Sequence, residues 1–234
     1  MYEKHFPSEI IINSLGRIPF AEAVALMEET HRKRCANEVA DTLFLLEHEP
    51  VITKGRRLKG QNIVVHPEIV KRGIPVCDAD RGGLLTYHGP GQIVVYFVIK
   101  VAERFLGVQQ MVLALERILL EFLRCQRRGR SRPASTAPFL NGYAVLNVHT
   151  REGHPGIWVG EKKIASIGLR IKNGVSLHGI SLNICNDLSV YDYFDPCGMA
   201  GKVMTNLEQV WGRGIEKQEF EHLSNALAKR LCHM

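Results

Sequence analysis

Hydrophobic positions fall along this chain in short dense runs separated by glycine, proline and charged residues, with a few longer stretches of helical spacing. The run SEIIINS, Ser8 to Ser14, reads as a first strand. Pro19 to about Asn37 reads as an amphipathic helix opened by a proline, which suits a first helical turn. DTLFLLEHEPVIT is too short for a helix once Pro50 interrupts it, and is predicted as two strands or a bent one. GRRLKGQNIVV is a loop running into a short strand, His66 to Arg72 a short helix, and IPVCDAD another strand end. QIVVYFVIK lacks polar alternation and is predicted as a strand buried on both faces.

Val108 to about Leu123 (VQQMVLALERILLEFL) is the clearest helix, with apolar residues at helical spacing. The texture then changes to RRGRSRPASTAPFLNGYAVLNVHTREGHPG, a long loop or insertion. In GIWVGEKKIASIGLRIKNGVSLHGISLNIC three strands are expected, punctuated by Gly160, by Asn173 with Gly174, and by Gly179; Asn173-Gly174 is the strongest hairpin signal in the chain. A loop, NDLSVYDYFDPCGMAGKVMTNL, leads to a final amphipathic helix from about Glu216 to the end. Strands dominate and do not alternate regularly with helices. The pattern predicts an α+β or mixed α/β fold, a mixed sheet with packed helices, and not a doubly wound parallel sheet.

Length adds that 234 residues suit a single domain over the whole chain. Hydrophobic residues at 45% and charged ones at 23% exclude a disordered or fibrous chain. No apolar run reaches the roughly 20 residues of a membrane-spanning helix, and the N-terminal stretch lacks the pattern of a secretory signal, so a cytoplasmic protein is expected. Six cysteines lie scattered without a CxxC pair or a cysteine-histidine ladder, which suggests neither a zinc site nor a disulfide framework. A net charge of +6 suits an acidic partner. Much of it sits in Arg124, Arg127, Arg128, Arg130 and Arg132, with no interleaved aromatic residues to stack on bases, so nucleic acid is not the expected partner.

Three stretches carry candidate chemistry. In RGGLLTYHGPGQ, Gly82 and Gly83 let backbone approach a ligand, Arg81 can pair with a carboxylate or phosphate, and His88 can exchange a hydrogen bond. The same residues also fit a glycine-rich turn before a buried strand. In GEKKIASIGLRI, alternation sets Lys163 on one face with Ala165, Ile167 and Leu169, where desolvation would lower its pKa toward proton-transfer range; a snorkelling strand-edge lysine is the other reading. In DPCGMAGK, Cys197 lies between proline and glycine, an accessible setting that Cys185 in SLNIC lacks. A thiol, a proton-carrying lysine and a permissive backbone loop are the parts for acyl transfer through a thioester.

These stretches, in this order, resemble the octanoyltransferases, the lipoyl(octanoyl) transferases of the lipoate-protein ligase B family. RGGLLTYHGPGQIVVY meets that family's long motif, and EHEPVITKGRR, GIWV, KIASIGLRI, SLHGISLNI and FDPCGMAG accompany it. The resemblance implies a fold like the biotin and lipoate protein ligase catalytic domains. It implies transfer of an octanoyl group from octanoyl-acyl carrier protein to a lysine of lipoyl domains, those of 2-oxoacid dehydrogenase E2 subunits and of the glycine cleavage H protein. Cys197 would be the nucleophile and Lys163 the general acid/base. Arg81, Gly82, Gly83, Leu84, Leu85, Thr86, Tyr87 and His88, then Ser166, Ile167 and Gly168, then His178, Gly179, Ile180 and Ser181 would bind substrate. No metal or dissociable cofactor is implied. The segment Arg124 to Pro155 is longer than the family's usual connection and unlike it. The rival on the same fold is an ATP-dependent lipoate or biotin ligase, which has no need of Cys197.

Overall fold

The computed structural model describes residues 9–61, 63–126, 146–196 and 203–234, and the backbone of 139–140 and 143–144. Cys197 and much of the arginine-rich segment lie outside the described residues.

Seven strands form the main sheet: β1 (Ile11–Ile18), β2 (Thr42–His48), β6 (Gln92–Val98), β12 (Val175–Asn183), β11 (Lys162–Lys172), β10 (Gly156–Val159) and β9 (Val148–His149), in that spatial order. β1 runs parallel to β2, and the other pairings are antiparallel. A smaller sheet orders β4 (Val76–Asp78), β3 (Val51–Lys54) and β5 (Leu85–His88), with β3 parallel to β4 and antiparallel to β5. Strands β7 (Phe139–Leu140) and β8 (Tyr143–Ala144) pair with each other. The expected mixed sheet with packed helices is what forms.

Alternation along the central strands sends two sets of side chains to opposite faces. Leu43, Leu45, Ile93, Val95, Phe97 and Leu182 pack against α3 (Val108–Cys125) and α5 (Lys217–Leu231), through residues such as Leu115, Leu119, Phe122 and Leu227. Phe44, Leu46, Val94, Tyr96, Val98 and Leu177 face α1 (Phe20–Cys35), which contributes Ala23 and Met27. Both faces are covered, which is why β6 carries no polar alternation and is buried at every position. A third cluster joins Ile52 and Tyr87 of the small sheet to Ile69 of α2 (Pro67–Lys71), and to Val190, Tyr191 and Met204.

The Asn173-Gly174 hairpin joins β11 to β12 with φ of 51° and 77°, the left-handed pair that a type I′ turn requires. Three expectations shift. The first strand lies at Ile11–Ile18, later than Ser8 to Ser14. No strand forms at Ile63 to Val65, where Val64 is fully exposed and has no face to bury. Gly179 interrupts nothing: it sits inside β12, where a Cβ would stand 2.0 Å from the Val95 carbonyl oxygen and 2.6 Å from the Phe97 ring. That glycine serves close packing, not a turn. A short α4 (Leu207–Trp211), capped by the Asn206 side chain, was not foreseen. Two irregularities matter below. β1 shifts register between Ser14 and Gly16, with Gly16 at φ 65°. β10 and β11 shift between Ile157 and Trp158.

Candidate active site

A cleft of about 530 Å³, part of it open to solvent, lies on the α1 side of the main sheet, beneath β5 and the loop that precedes it. Val94 and Tyr96 of β6, Ser166, Ile167 and Gly168 of β11, and His178, Gly179, Ile180 and Ser181 of β12 line it. Arg81, Gly82, Gly83, Thr86 and His88 close it from above, Phe20 at the start of α1 closes one side, and Lys163 lines it as well. Sixteen residues from five elements and the loop 81–84 meet here, and the alternation of β5 turns Thr86 and His88 to the cleft. Leu85 and Tyr87 turn to the third hydrophobic cluster, and Leu84 contributes its backbone to the loop, so these three expected binding residues do not line the cleft.

The loop 81–84 is held by its own carbonyls. Arg56 N–H donates to Arg81 O, Arg57 N–H to Gly83 O, and Gly55 N–H to Leu84 O. Gly82 N–H donates to Leu169 O of β11 at 3.1 Å, joining the loop to the main sheet. The buried Arg81 guanidinium donates to Thr53 Oγ1, Thr53 O, Gly82 O and Leu84 O. A planar fork suits that many convergent acceptors. Arg81 therefore braces the loop. Gly55 must be glycine for this packing, since a Cβ would lie 2.5 Å from Gly83 O.

Lys163 is buried, 3% exposed, with Nζ 5.6 Å from the Trp158 ring centroid. The register shift leaves Ile164 as the extra residue, because Lys163 opposes Trp158 while Ala165 opposes Ile157. Ile164 and Ala165 both enter the core under the sheet. Lys163 instead lines the cleft with Ser166, so the expected shared face with Ala165 is overturned by one bulged residue. Gly156 makes room beside it: a Cβ there would come within 2.8 Å of Lys163 Cε. Gly156 N–H donates to Glu116 Oε1 of α3 at 3.0 Å. The backbone of Lys163 pairs with Met204, and its carbonyl accepts from Thr205 N–H. Only Val203 separates those two residues from the segment 197–202.

A network of rings and amides lies behind the cleft. Gln92 Nε2 donates to Tyr87 O and Asn183 Oδ1, so Gln92 Oε1 is the acceptor for His88 Nδ1–H at 2.7 Å. Asn183 Nδ2 donates in turn to Thr205 O. His48 Nδ1–H donates to Ile18 O, which leaves Nε2 to accept from the Tyr96 hydroxyl at 2.7 Å. Burial pushes His48 down to about 4. Burial and then the Arg81 charge push His178 down to about 4. His88 is held well below its ordinary range by burial, then by His48 and Arg81. All three rings are neutral near pH 7. His178 has φ 58°, a strained left-handed conformation for a side chain inside a strand. Alternation would place it with Ile180 and Leu182; instead its ring stands edge-on to Tyr96 at 5.6 Å.

Cys197 lies outside the described residues. Cys185 is half-buried away from the cleft, in a groove with Leu45, Glu47 and Phe220. Sequence reading missed Phe20, Val94 and Tyr96 as lining residues, and His48, Gln92 and Asn183 as their supports. Tyr96 and Gln92 were within reach, since both stand in the motif that ends RGGLLTYHGPGQIVVY. Among the described residues no group of three or more His, Cys, Asp or Glu could hold a metal ion, and no helix is long and apolar enough to cross a membrane.

The model of the lipoyl protein ligase A/B catalytic domain matches residues 19–228. An octanoyltransferase of Alkaliphilus metalliredigens is 37% identical over 204 residues, 87% of this chain and 86% of its own. One from Chromohalobacter salexigens is 38% identical over 230 residues, 96% of this chain and 94% of its own. Among solved structures, a bipartite lipoate protein ligase from Thermoplasma acidophilum superposes with TM-score 0.63 at 14% identity, over 97% of this chain and 84% of that one. Lipoate-protein ligase A bound with ATP gives TM-score 0.62 at 14% identity, over 97% and 86%. At that identity the likeness is one of fold.

Proposed function

Because the chain belongs to the octanoyltransferases of the lipoyl protein ligase A/B catalytic-domain family, and so is an acyltransferase, we propose that it carries an octanoyl group through a thioester on Cys197. The donor is octanoyl-acyl carrier protein. The acceptor is a lysine of lipoyl domains, in 2-oxoacid dehydrogenase E2 subunits and the glycine cleavage H protein. Lys163 takes the Cys197 thiol proton, the thiolate attacks the donor carbonyl, and Lys163 returns the proton to the departing carrier thiol. In the second half, Lys163 takes a proton from the acceptor amine, which attacks the Cys197 thioester and leaves an amide and the free thiol. The acyl chain lies in the cleft, between Gly83, Ser166 and Ile167 near the lysine and Tyr96 at the far side. The net positive charge favours encounter with acidic carrier and lipoyl domains. The reading needs no metal and no dissociable cofactor, since the donor thioester is already activated.

The observation that carries the reading is Lys163, a buried amine lining the cleft, with its backbone tied to Met204 and Thr205, close after Cys197 in the chain. Intact-mass measurement after mixing with octanoyl-acyl carrier protein, without ATP, tests it. The wild type should gain one octanoyl group, removable by hydroxylamine, and Cys197→Ala should gain none. Acylation that survives Cys197→Ala removes the thioester step. A wild type that takes no acyl group without ATP moves the reading to the ATP-dependent ligase, which adenylate formation then tests.

A further inference from the structure

Resting on the acyl-transfer reading, we infer that Phe20, Tyr96 and His178 form the end wall of the cleft and set the length of acyl chain it accepts, with the His48–Tyr96 hydrogen bond holding that wall in place. Register gives the distance. Gly168 opposes Gly179, which opposes Tyr96, so Tyr96 lies five residues along and two strands across from Lys163. Because Ile164 is bulged, those five residues span about four strand steps; at about 3.4 Å per step and about 4.8 Å per strand, the two Cα atoms are roughly 17 Å apart. Both residues line the same cleft, Lys163 toward one end of that span and Tyr96 at the other.

The wall is fixed by more than packing. Tyr96 OH donates to His48 Nε2 at 2.7 Å, and the buried His48 is anchored to Ile18 O, so the phenol cannot swing out of the way without leaving a buried acceptor unpaired. Phe20 stands edge-on to His48 at 5.5 Å, behind the same ring. The left-handed backbone at His178 brings its imidazole onto Tyr96 from the other strand, against the alternation of β12. A strained residue that fills a ligand-facing corner is spending stability on shape. The rings are neutral, so the wall is compatible with a methyl terminus.

Acyl-length profiles test the inference. Initial rates of transfer would be measured from hexanoyl-, octanoyl-, decanoyl- and dodecanoyl-acyl carrier protein to an isolated lipoyl domain. The wild type should fall off beyond octanoyl. Phe20→Ala and His178→Ala should raise the decanoyl-to-octanoyl ratio about tenfold, the worth of two newly buried methylenes. Tyr96→Phe keeps the ring but not its anchor, and should broaden the profile less. Phe20→Leu serves as the milder change where Phe20→Ala fails to fold. Leu113→Ala, exposed on α3, is the control that should leave the ratio unmoved. An unchanged ratio in variants that still transfer octanoate overturns this inference alone. A wild type inert with every donor overturns the transfer reading and this inference with it.

Discussion

The carbonyl oxygen of Lys163 accepts a hydrogen bond from Thr205 N–H at 3.0 Å. The bond uses backbone only, so it survives any change of the lysine side chain. Lys163→Ala should therefore keep its circular dichroism spectrum and unfold cooperatively, while both half-reactions slow by about 10²–10⁴, the usual share of a general acid/base. Lys163→Arg should not restore the rates, because guanidinium does not give up its proton. Rapid-quench acylation and single-turnover transfer check both statements, and unchanged rates would make Lys163 a structural residue.

His48 and His178 make stability depend on pH in a defined direction. Their folded pKa values lie near 4, below the ordinary 6.5 that an unfolded imidazole keeps. Between those limits the unfolded chain binds more protons than the folded one, so stability falls as pH falls from about 6.5 toward 4 and is level above that window. Within the window each site contributes a slope of at most about 1.4 kcal/mol per pH unit before coupling. Urea midpoints at about pH 7.5, 6 and 5 measure the slope, and His178→Gln should lessen it without removing it, since His48 and His88 stay buried.

Glycines at two positions separate packing from backbone conformation. Gly179→Ala forces a methyl to within 2.0 Å of Val95 O and should cost about 3 kcal/mol or abolish soluble expression. Gly160→Ala meets open space at φ 57° and should cost only about 1 kcal/mol. Thermal melting of the two variants side by side decides it.

Cys185 is expected to react slowly as a thiol. Burial first, then the charges of Glu208 and Glu47, push it up to about 11. Its thiolate fraction at pH 8 is about one in a thousand, so timed iodoacetamide labelling should modify the exposed Cys125 well before it. Cys185→Ala should still form the acyl-enzyme; loss of acylation in that variant would point to Cys185 as the nucleophile.

What could be read from the sequence was whatever depends on neighbours along the chain. β6 was legible because burial on both faces leaves no polar position, and the Asn173-Gly174 turn because few residues adopt its φ values. The residues of the glycine loop and of β11 and β12 were legible through a long motif, and all but Leu84, Leu85 and Tyr87 of those described line one cleft. The face of Lys163 was not legible, since a single bulged residue at Ile164 reverses the alternation and nothing local announces it. Phe20 and His48 were missed for a different reason. They reach Tyr96 and the cleft only once β2 lies against β6, a pairing between distant parts of the chain.

The register shift in β1 bears on how copies of the protein meet. Strand β1 is one rim of the main sheet, and its backbone is bent at Gly16 next to the half-exposed Arg17. The opposite rim, β9, is only two residues long. Among the described residues neither rim offers the long, straight ladder that another chain needs in order to add a strand, and the sheet is open without being closed into a barrel. The widest β surface of the molecule is then a poor template for strand addition by a second copy.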